Sequence, residues 1–588
     1  MNQLLKDQKV FPTETHSVDF CVVGGGMAGL CAAVAAARRG AKVVLMQDRA
    51  VLGGNASGEI RVTLSGADRG NQIPNTRETG ILEELRLENC RRNPNIQFPI
   101  WDLLLYETAH FEPNLTLLLN CSVMDAVMDG NHIVSVTGWQ LTTQTFHTVK
   151  AKIFADCSGE GILAPLTKAE CRIGREARSE FGESIAPEKA DRKTMGMTCI
   201  VQCREHGSVQ TFEAPKWAYR FDTCDDIPYG VRHHVMLNEG YWWAEMGGEH
   251  DSTHDAEWMK DECLKITLGV WDHVKNRCPE AKADKWAIEY LSFMPGKRES
   301  RRYVGDHVLS QVDIDAEGKF DDLVAYGGWS MDDHHPGGFW SVRVGSPATI
   351  FHHSPCPYGI PYRSLYSKNI DNLMFAGRNH SCTHAAMSST RLIATGGVMG
   401  QAVGTAAAMA VAHGISPREI AKHMNELQQS LIQDDCWLPW VAQDIPELTR
   451  QAKLQATTGN PDPLRDGTNR PIAEDRHAWT ARRGDSATYL FGSPKEVNEV
   501  TLTLDSALDT SIALNIRNPG SSYVPKRMPK EFLLEGLVAG EWETLLQIED
   551  NHQRHHRYRI ARDLEGVRFT LQRTWGAEES SVFAFLVQ

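Results

Sequence analysis

Residues 22–30 read Val22-Val23-Gly24-Gly25-Gly26-Met27-Ala28-Gly29-Leu30, and this stretch decides the fold. An apolar strand, Phe20 to Val23, runs into it, and an alanine-rich helix, Ala28 to Arg39, leaves it. Gly24, Gly26 and Gly29 therefore match G-x-G-x-x-G inside a strand–turn–helix frame. Gly24 permits the tight turn, Gly26 lets backbone approach a pyrophosphate, and Gly29 lets helix and strand pack closely. The open N–H groups at the helix start, around Met27 and Ala28, together with its positive dipole end, favour the phosphates of a dinucleotide. A second strand, Lys42 to Met46, ends at Gln47 and Asp48, where the ribose is expected. An acidic residue usually accepts the ribose hydroxyls there. Gln47 can bond a diol without charge assistance, and Asp48 reads equally as a solvated turn residue.

After the second strand comes Leu52-Gly53-Gly54-Asn55-Ala56-Ser57-Gly58-Glu59-Ile60-Arg61. Far downstream, Asn372 to Phe375 reads as a strand that ends in Ala376-Gly377-Arg378. Ser388-Ser389-Thr390-Arg391 follows, and then a small-residue helix from Gly396 through Gly400 and Gln401 to Ala408. These segments, with ADCSGEGILA, GKRESRRYVGDHVL, AYGGWSMDDHHPGG and YGIPYRSLYSKNIDNLMFAGR, resemble the bacterial FAD-dependent oxidoreductase family over about residues 15 to 430. That family comprises two-dinucleotide-binding flavoproteins distantly akin to the fumarate reductase and succinate dehydrogenase flavoproteins. The resemblance implies FAD as cofactor. It implies contacts from the first glycine turn, from Gly53, Gly54, Asn55 and Ser57, and from Val123. It also brings Glu59 and Arg61 toward the flavin ring. Cys157, Ser158 and Gly159 form the turn of a return strand under the cofactor, and Gly377, Arg378, His384, Ser389, Thr390, Gly400 and Gln401 close over the flavin end.

With 588 residues the chain can hold two or three domains. A formal net charge of −14 argues against nucleic acid or an anionic membrane as the main partner. Residues 1–17 carry Lys6, Asp7, Lys9 and Glu14 and no apolar core, unlike a secretory signal. No apolar run reaches membrane-spanning length. Fourteen scattered cysteines without a C-x-x-C pair suggest a reducing, cytoplasmic setting and no metal site.

Alternating strands and helices predict an α/β fold: a Rossmann-like, mainly parallel, doubly wound sheet. The expected FAD-binding part is 1–165, resuming at 361–440 around an inserted substrate domain, 166–360, rich in Trp and His. A polar linker is expected over 441–484. Short alternating runs from 485 to 588, Ser511 to Ile516 among them, predict a β-sandwich, similar to galactose-binding-like modules and equally able to serve as a lid or a homo-oligomer contact.

A flavin takes a hydride, so the chain must supply a base near neutrality and cationic donors. Candidate bases are His334 and His335, in Asp332-Asp333-His334-His335-Pro336-Gly337-Gly338, and His353 in Phe351-His352-His353. Candidate cations are Arg298 and Arg301, from Gly296 to Arg302, and Arg363. The expected activity is hydride removal from a small polar metabolite (a sugar, glycoside or hydroxy acid) with an unknown electron acceptor. Redox-neutral glycoside elimination and fumarate-reductase-like chemistry on a C–C bond remain alternatives.

Overall fold

A computed structural model describes residues 11–227, 234, 237, 240–512 and 523–588. They form two compact units. One holds residues 11–66 and Gln97–Met424; the other holds Ala67–Ile96 and the chain from Asn425 onward.

The first unit is built on a seven-stranded sheet. Its strands are β1 (Thr13–Val23), β2 (Val43–Met46), β3 (Leu115–Leu118), β4 (Cys121–Asp129), β5 (His132–Gln140) and β6 (Thr145–Asp156), in the order β3-β2-β1-β6-β5-β4. β1, β2, β3 and β6 run parallel, and Leu373–Phe375 adds a parallel partner to β6. β4, β5 and the first half of β6 form an antiparallel meander, so the sheet is mixed rather than wholly parallel. The division lies within β6: Thr145 to Lys150 pair with β5, whereas Phe154 to Asp156 pair with Leu373–Phe375. Burial follows the same division. The end of β6 is buried at four consecutive positions, as a strand covered on both faces must be, while its start alternates.

The helix Met27–Arg38 follows the glycine turn and is buried at every position from Met27 to Ala37. Alanine and glycine dominate because a second helix, Ile393–His413, lies directly on it. A Cβ on Gly400 would stand 2.0 Å from the Ala28 carbonyl oxygen, and one on Gly404 2.0 Å from that of Ala32. This close approach makes Ile393–His413 a packed core helix; among the described residues no single helix is long and apolar enough to span a membrane.

The inserted region has its own core. The helix Ala256–Asn276 places Met259, Cys263, Ile266, Val270 and Val274 on one stripe, which packs with Tyr241, Trp243, Trp271 and Phe339. Beside it, Glu245–Gly248, Thr194–Thr198 and Gly296–Lys297 form a three-stranded antiparallel sheet.

The second unit is sheet-rich. Seven antiparallel strands are joined in one continuous hydrogen-bonded ladder. Two long strands, Ser486–Leu504 and His555–Thr574, carry it, with register breaks at Leu490/Lys495 and Val497/Glu499. Trp479, Tyr489, Phe532, Phe569 and Phe585 meet in its core. Residues 441–484 are not a bare linker, since Lys453–Ala456 and Trp479–Arg482 are strands of this sheet. The expected strand Ser511 to Ile516 lies largely outside the described residues.

The helix Ile81–Arg92, which sequence order leaves in the cofactor part, belongs to this second unit. Buried ion pairs hold it there. Arg77 clamps Glu83 with bonds of 3.0 and 2.7 Å and also donates to the Ser506 carbonyl at 3.2 Å. Arg470 donates to the carbonyls of Asn75 and Arg77 at 3.1 and 3.0 Å. Burial alone would raise the Glu83 carboxyl, but Arg77 and Arg86 carry it down to about 2. Replacing Arg77 by Met leaves that carboxylate buried without its partner, so Arg77→Met should cost about 3–5 kcal/mol in urea unfolding of the second unit. A loss within ~0.5 kcal/mol would show that the pair does not hold the helix.

Candidate functional site

At the end of β1, Gly24 has φ +100° and no room for a side chain: a Cβ would lie 2.4 Å from the Ser158 Cα. Gly26 is different. A Cβ there would meet nothing nearer than 3.9 Å, so a side chain's first atom is not excluded before the helix Met27–Arg38. That helix has no side-chain cap and no acidic residue in its first turn, which leaves its terminal N–H groups for an anion. The late segment arrives at the same place, since a Cβ on Gly377 would stand 3.3 Å from the Ala28 Cβ.

The surroundings carry the polar atoms a dinucleotide needs. Ser57 Oγ, Arg49 Nη1, Glu59 Oε2 and Asn379 Oδ1 are buried without hydrogen-bond partners. Arg49 Nη1 lies 3.5 Å from Glu59 Oε2. Burial, reinforced by Asp48 and opposed by Arg49, pushes the Glu59 carboxyl up. These residues fit a bound dinucleotide: an uncapped helix end for phosphate, and orphaned donors and acceptors for the rest.

Asp156, at the end of β6, organises the floor of this region. It accepts from Ser158 N at 3.0 Å, Ser158 Oγ at 2.6 Å, Leu163 N at 2.8 Å, Tyr303 Oη at 2.6 Å and Asn379 Nδ2 at 3.2 Å. Gly159 O in turn accepts from Ser300 Oγ at 2.6 Å and Arg378 Nε at 2.9 Å, and Glu160 O accepts from Arg301 Nη1 at 3.2 Å.

Arg298, Glu299 and Arg302 belong instead to a buried network of charges. Arg298 Nη2 bonds Glu245 Oε2 at 2.8 Å, and His334 Nδ1 lies 2.9 Å from both oxygens of the same carboxylate. His334 Nε2 has no hydrogen-bond partner and stands 3.6 Å from Asp332 Oδ1. Arg391 Nη2 donates to the Asp332 carbonyl at 3.0 Å. His384 joins the two sides, with Nδ1 2.8 Å from Glu299 Oε2 and Nε2 3.1 Å from Asp333 Oδ1. Arg302 pairs with Glu299 and, at 2.7 Å, with Glu176.

A model of the FAD dependent oxidoreductase family matches residues 19–431. The chain belongs to that family. Among solved structures, the chain is similar to the family 32 carbohydrate-binding module of Streptococcus pneumoniae EndoD, at 14% identity over 24% of this chain and 97% of that one, with TM-score 0.20. It is also similar to the family 32 module of C. perfringens NanJ in complex with galactose, at 12% identity over 24% of this chain and 95% of that one, with TM-score 0.18.

In this FAD-dependent oxidoreductase the sequence candidates fall into three groups. The first surrounds the glycine turn. Gly29 packs on the Gly24 carbonyl, Gly53 bridges Gly26, and Asn55 Nδ2 donates to the Lys297 carbonyl at 3.0 Å. Cys157 is buried beside this turn. The second is the charge network of Arg298, His334 and His384, flanked by Ser389, whose Oγ is 2.6 Å from Tyr358 Oη, and by Thr390, bonded to His380 at 2.8 Å. Burial, helped by Arg302, holds His380 down to about 3, so it stays neutral.

The third group is engaged elsewhere. Gln47 spends its amide on backbone, accepting from Gly25 N at 2.7 Å and donating to Val51 O at 3.1 Å, so it clamps the turn instead of facing a ribose. Asp48 is solvent-exposed, its side chain 61% accessible. Arg61 stacks 3.7 Å from the Tyr290 ring centroid and donates to Gln202 at 2.9 Å. Val123 packs on the sheet, while Gly400 and Gln401 are buried in the helix pair. Arg301 serves the Glu160 turn. His335 accepts from Gly337 N at 3.0 Å, and burial holds its pKa below the usual histidine value. His353 is exposed, and Arg363, also exposed, is clamped on Asp322 at 3.0 Å, so neither joins the network.

Sequence analysis missed Glu245, Arg49 and Asp156. For Glu245 a signal existed, because a carboxylate inside the apolar run Tyr241 to Gly248 can be buried only with a cationic partner.

Burial alone would raise Asp333, but the ion pair and hydrogen bond with His384, with His334 nearby, carry it down to about 2. A depressed folded-state pKa gives stability that is present above the unfolded value and is lost as pH falls through the folded one. Relative to Asp333→Asn, the unaltered enzyme should therefore lose on the order of 2 kcal/mol as pH drops from about 4 to about 2. Urea midpoints across that range test it, and parallel curves for the two proteins would contradict the assignment.

Proposed function

We propose that this enzyme oxidises a small polar hydroxy compound, a hydroxy acid in preference to a neutral sugar or glycoside, with His334 as the proton acceptor. The residues proposed to hold FAD are the glycine turn Gly24 to Gly29, Arg49, Gly53 to Ser57, Glu59, Ser158, Gly159, Gly377 and Arg378. Once bound there, FAD supplies the hydride acceptor.

One observation carries the proposal. His334 is 2% exposed, its Nδ1 is held by the Glu245 carboxylate, and its Nε2 has no hydrogen-bond partner. A carboxylate at Nδ1 keeps the proton on that nitrogen and leaves the lone pair on Nε2. When Nε2 takes a hydroxyl proton, the new imidazolium is stabilised by Glu245 at 2.9 Å and by Asp332 at 3.6 Å. Glu245 thus orients the base and stabilises its charged form.

Two further atoms support a hydroxy acid. Arg298 Nη1 and Arg391 Nε are buried guanidinium nitrogens without hydrogen-bond partners. Such donors suit a substrate carboxylate or an oxygen that gains negative charge. A carboxylate accepts from both with opposite charge, whereas the neutral hydroxyls of a sugar accept more weakly.

Anaerobic mixing with a panel of hydroxy acids, sugars and glycosides, followed by flavin absorbance, tests this reading. Hydroxy acids should bleach the flavin, and His334→Gln should slow bleaching by about 10²–10⁴-fold while retaining flavin. Bleaching by His334→Gln at the unaltered rate would refute the role of His334. Steady turnover without any electron acceptor would replace net oxidation by a redox-neutral reaction.

A further inference from the structure

Away from the charge network, the inserted region gathers two cysteines and two histidines. Cys224, His234, His273 and Cys278 present ligand atoms that all lie within 4.8 Å of one another. Cys224 Sγ is 3.4 Å from His273 Nε2 and 3.7 Å from Cys278 Sγ, and Cys278 Sγ is 3.5 Å from His234 Nε2. We propose that these four side chains form a tetrahedral Cys2His2 site for a structural zinc ion.

The spacings fit that ion. With Zn–S at about 2.3 Å and Zn–N at about 2.0 Å, a tetrahedron sets sulfurs ~3.8 Å apart and sulfur and nitrogen ~3.5 Å apart. The sulfur–sulfur distance of 3.7 Å is far too long for a disulfide. It also exceeds anything a strong hydrogen bond would give. An S2N2 set of this shape selects zinc over magnesium or calcium, which require oxygen ligands. Two thiolates offset the two charges of the ion, so the filled site is neutral, as its burial demands.

Three of the ligands, Cys224, His273 and Cys278, are held by local structure. A capping box between Thr223 and Asp226 fixes the short turn Cys224–Asp226. His273 lies in the last turn of the helix Ala256–Asn276, and its carbonyl accepts from the backbone N–H of both Arg277 and Cys278 at 2.8 Å. That doubled bond folds the chain back and returns Cys278 to the side of His273. His273 Nδ1 lies 3.1 Å from the Phe221 carbonyl, so Nδ1–H donates there and the Nε2 lone pair faces the sulfurs. A backbone carbonyl on the remote nitrogen is the usual support of a metal-binding histidine. With four protein ligands the ion has no open position, which suits a structural clip and not a catalytic centre. It would join the turn at Cys224, His234 and the end of the long helix around the core of Phe221, Tyr241 and Trp271. Absence of a C-x-x-C pair hides this site in the sequence, where the ligands read Cys224-x9-His234 and His273-x4-Cys278.

The test uses the full-length, tag-free flavoprotein purified without chelator. Elemental analysis should give one zinc per chain, and exchange with Co2+ should produce the visible bands and sulfur-to-cobalt charge-transfer band of a tetrahedral thiolate site. Cys278→Ser and His273→Asn should lose the metal and melt at lower temperature, whereas Cys171→Ser, at an exposed cysteine outside the cluster, should keep it. The proposal is overturned if the unaltered protein holds less than about a tenth of an equivalent of zinc and gives no cobalt spectrum. It is equally overturned if both ligand variants retain full zinc. Measurement on the unaltered chain stands even where a variant does not fold.

Discussion

The buried carboxylate of Asp156 fixes the place where the sheet becomes a site. Wholly inaccessible at the end of β6, it takes hydrogen bonds from the return turn, from Tyr303 of the inserted region and from Asn379 of the late segment. Three chain segments far apart in the sequence are thereby set against one strand end. Hydrogen bonds to an anion are among the stronger ones available, and a buried carboxylate that loses them is costly. The position of each segment is therefore strongly determined, and the glycine turn of β1 lies one strand away.

From Lys297 to Tyr303 the chain works as a wall with two sides. Lys297, Ser300, Arg301 and Tyr303 turn to the cofactor loop, through Glu160, Gly159 and Asp156. Arg298, Glu299 and Arg302 turn to the charge network of Glu245, His384 and Glu176. One short segment thus links the proposed flavin pocket to the proposed base. Glu245, Glu299, Arg302, Glu176 and His334 in this network are almost fully buried, so desolvation offsets much of the coulombic gain. Stability alone does not account for so costly an arrangement.

The glycine turn and the family were legible because their signals are local. A glycine turn needs particular residues at fixed spacing, and the strand and helix around Gly24 to Gly29 carry their own periodicity. His334 stood out in a polar turn, but adjacent His335 was indistinguishable from it. Only the strand pairing of Met331–His334 with Thr349–His352 puts alternate side chains on opposite faces, sending His334 to Glu245 and His335 elsewhere. Gln47 shows the reverse error. Its position at the strand end suggested a ribose contact, yet the turn uses both ends of its amide.

The amino-acid sequence by itself determined the glycine turn between strand and helix, the family, the two small-residue helices and the strand-rich character of the C-terminal part. Each follows from spacing within a few dozen residues, where backbone geometry fixes which side chains are neighbours. Tertiary structure alone decided that Ile81–Arg92 leaves the cofactor part, that Arg363 and His353 stand outside the network, and that Glu245 meets His334 and Arg298. These are pairings of charges distant in the chain. A charged residue carries no sequence mark of its partner, and the energy that selects one appears only when both are withdrawn from water together.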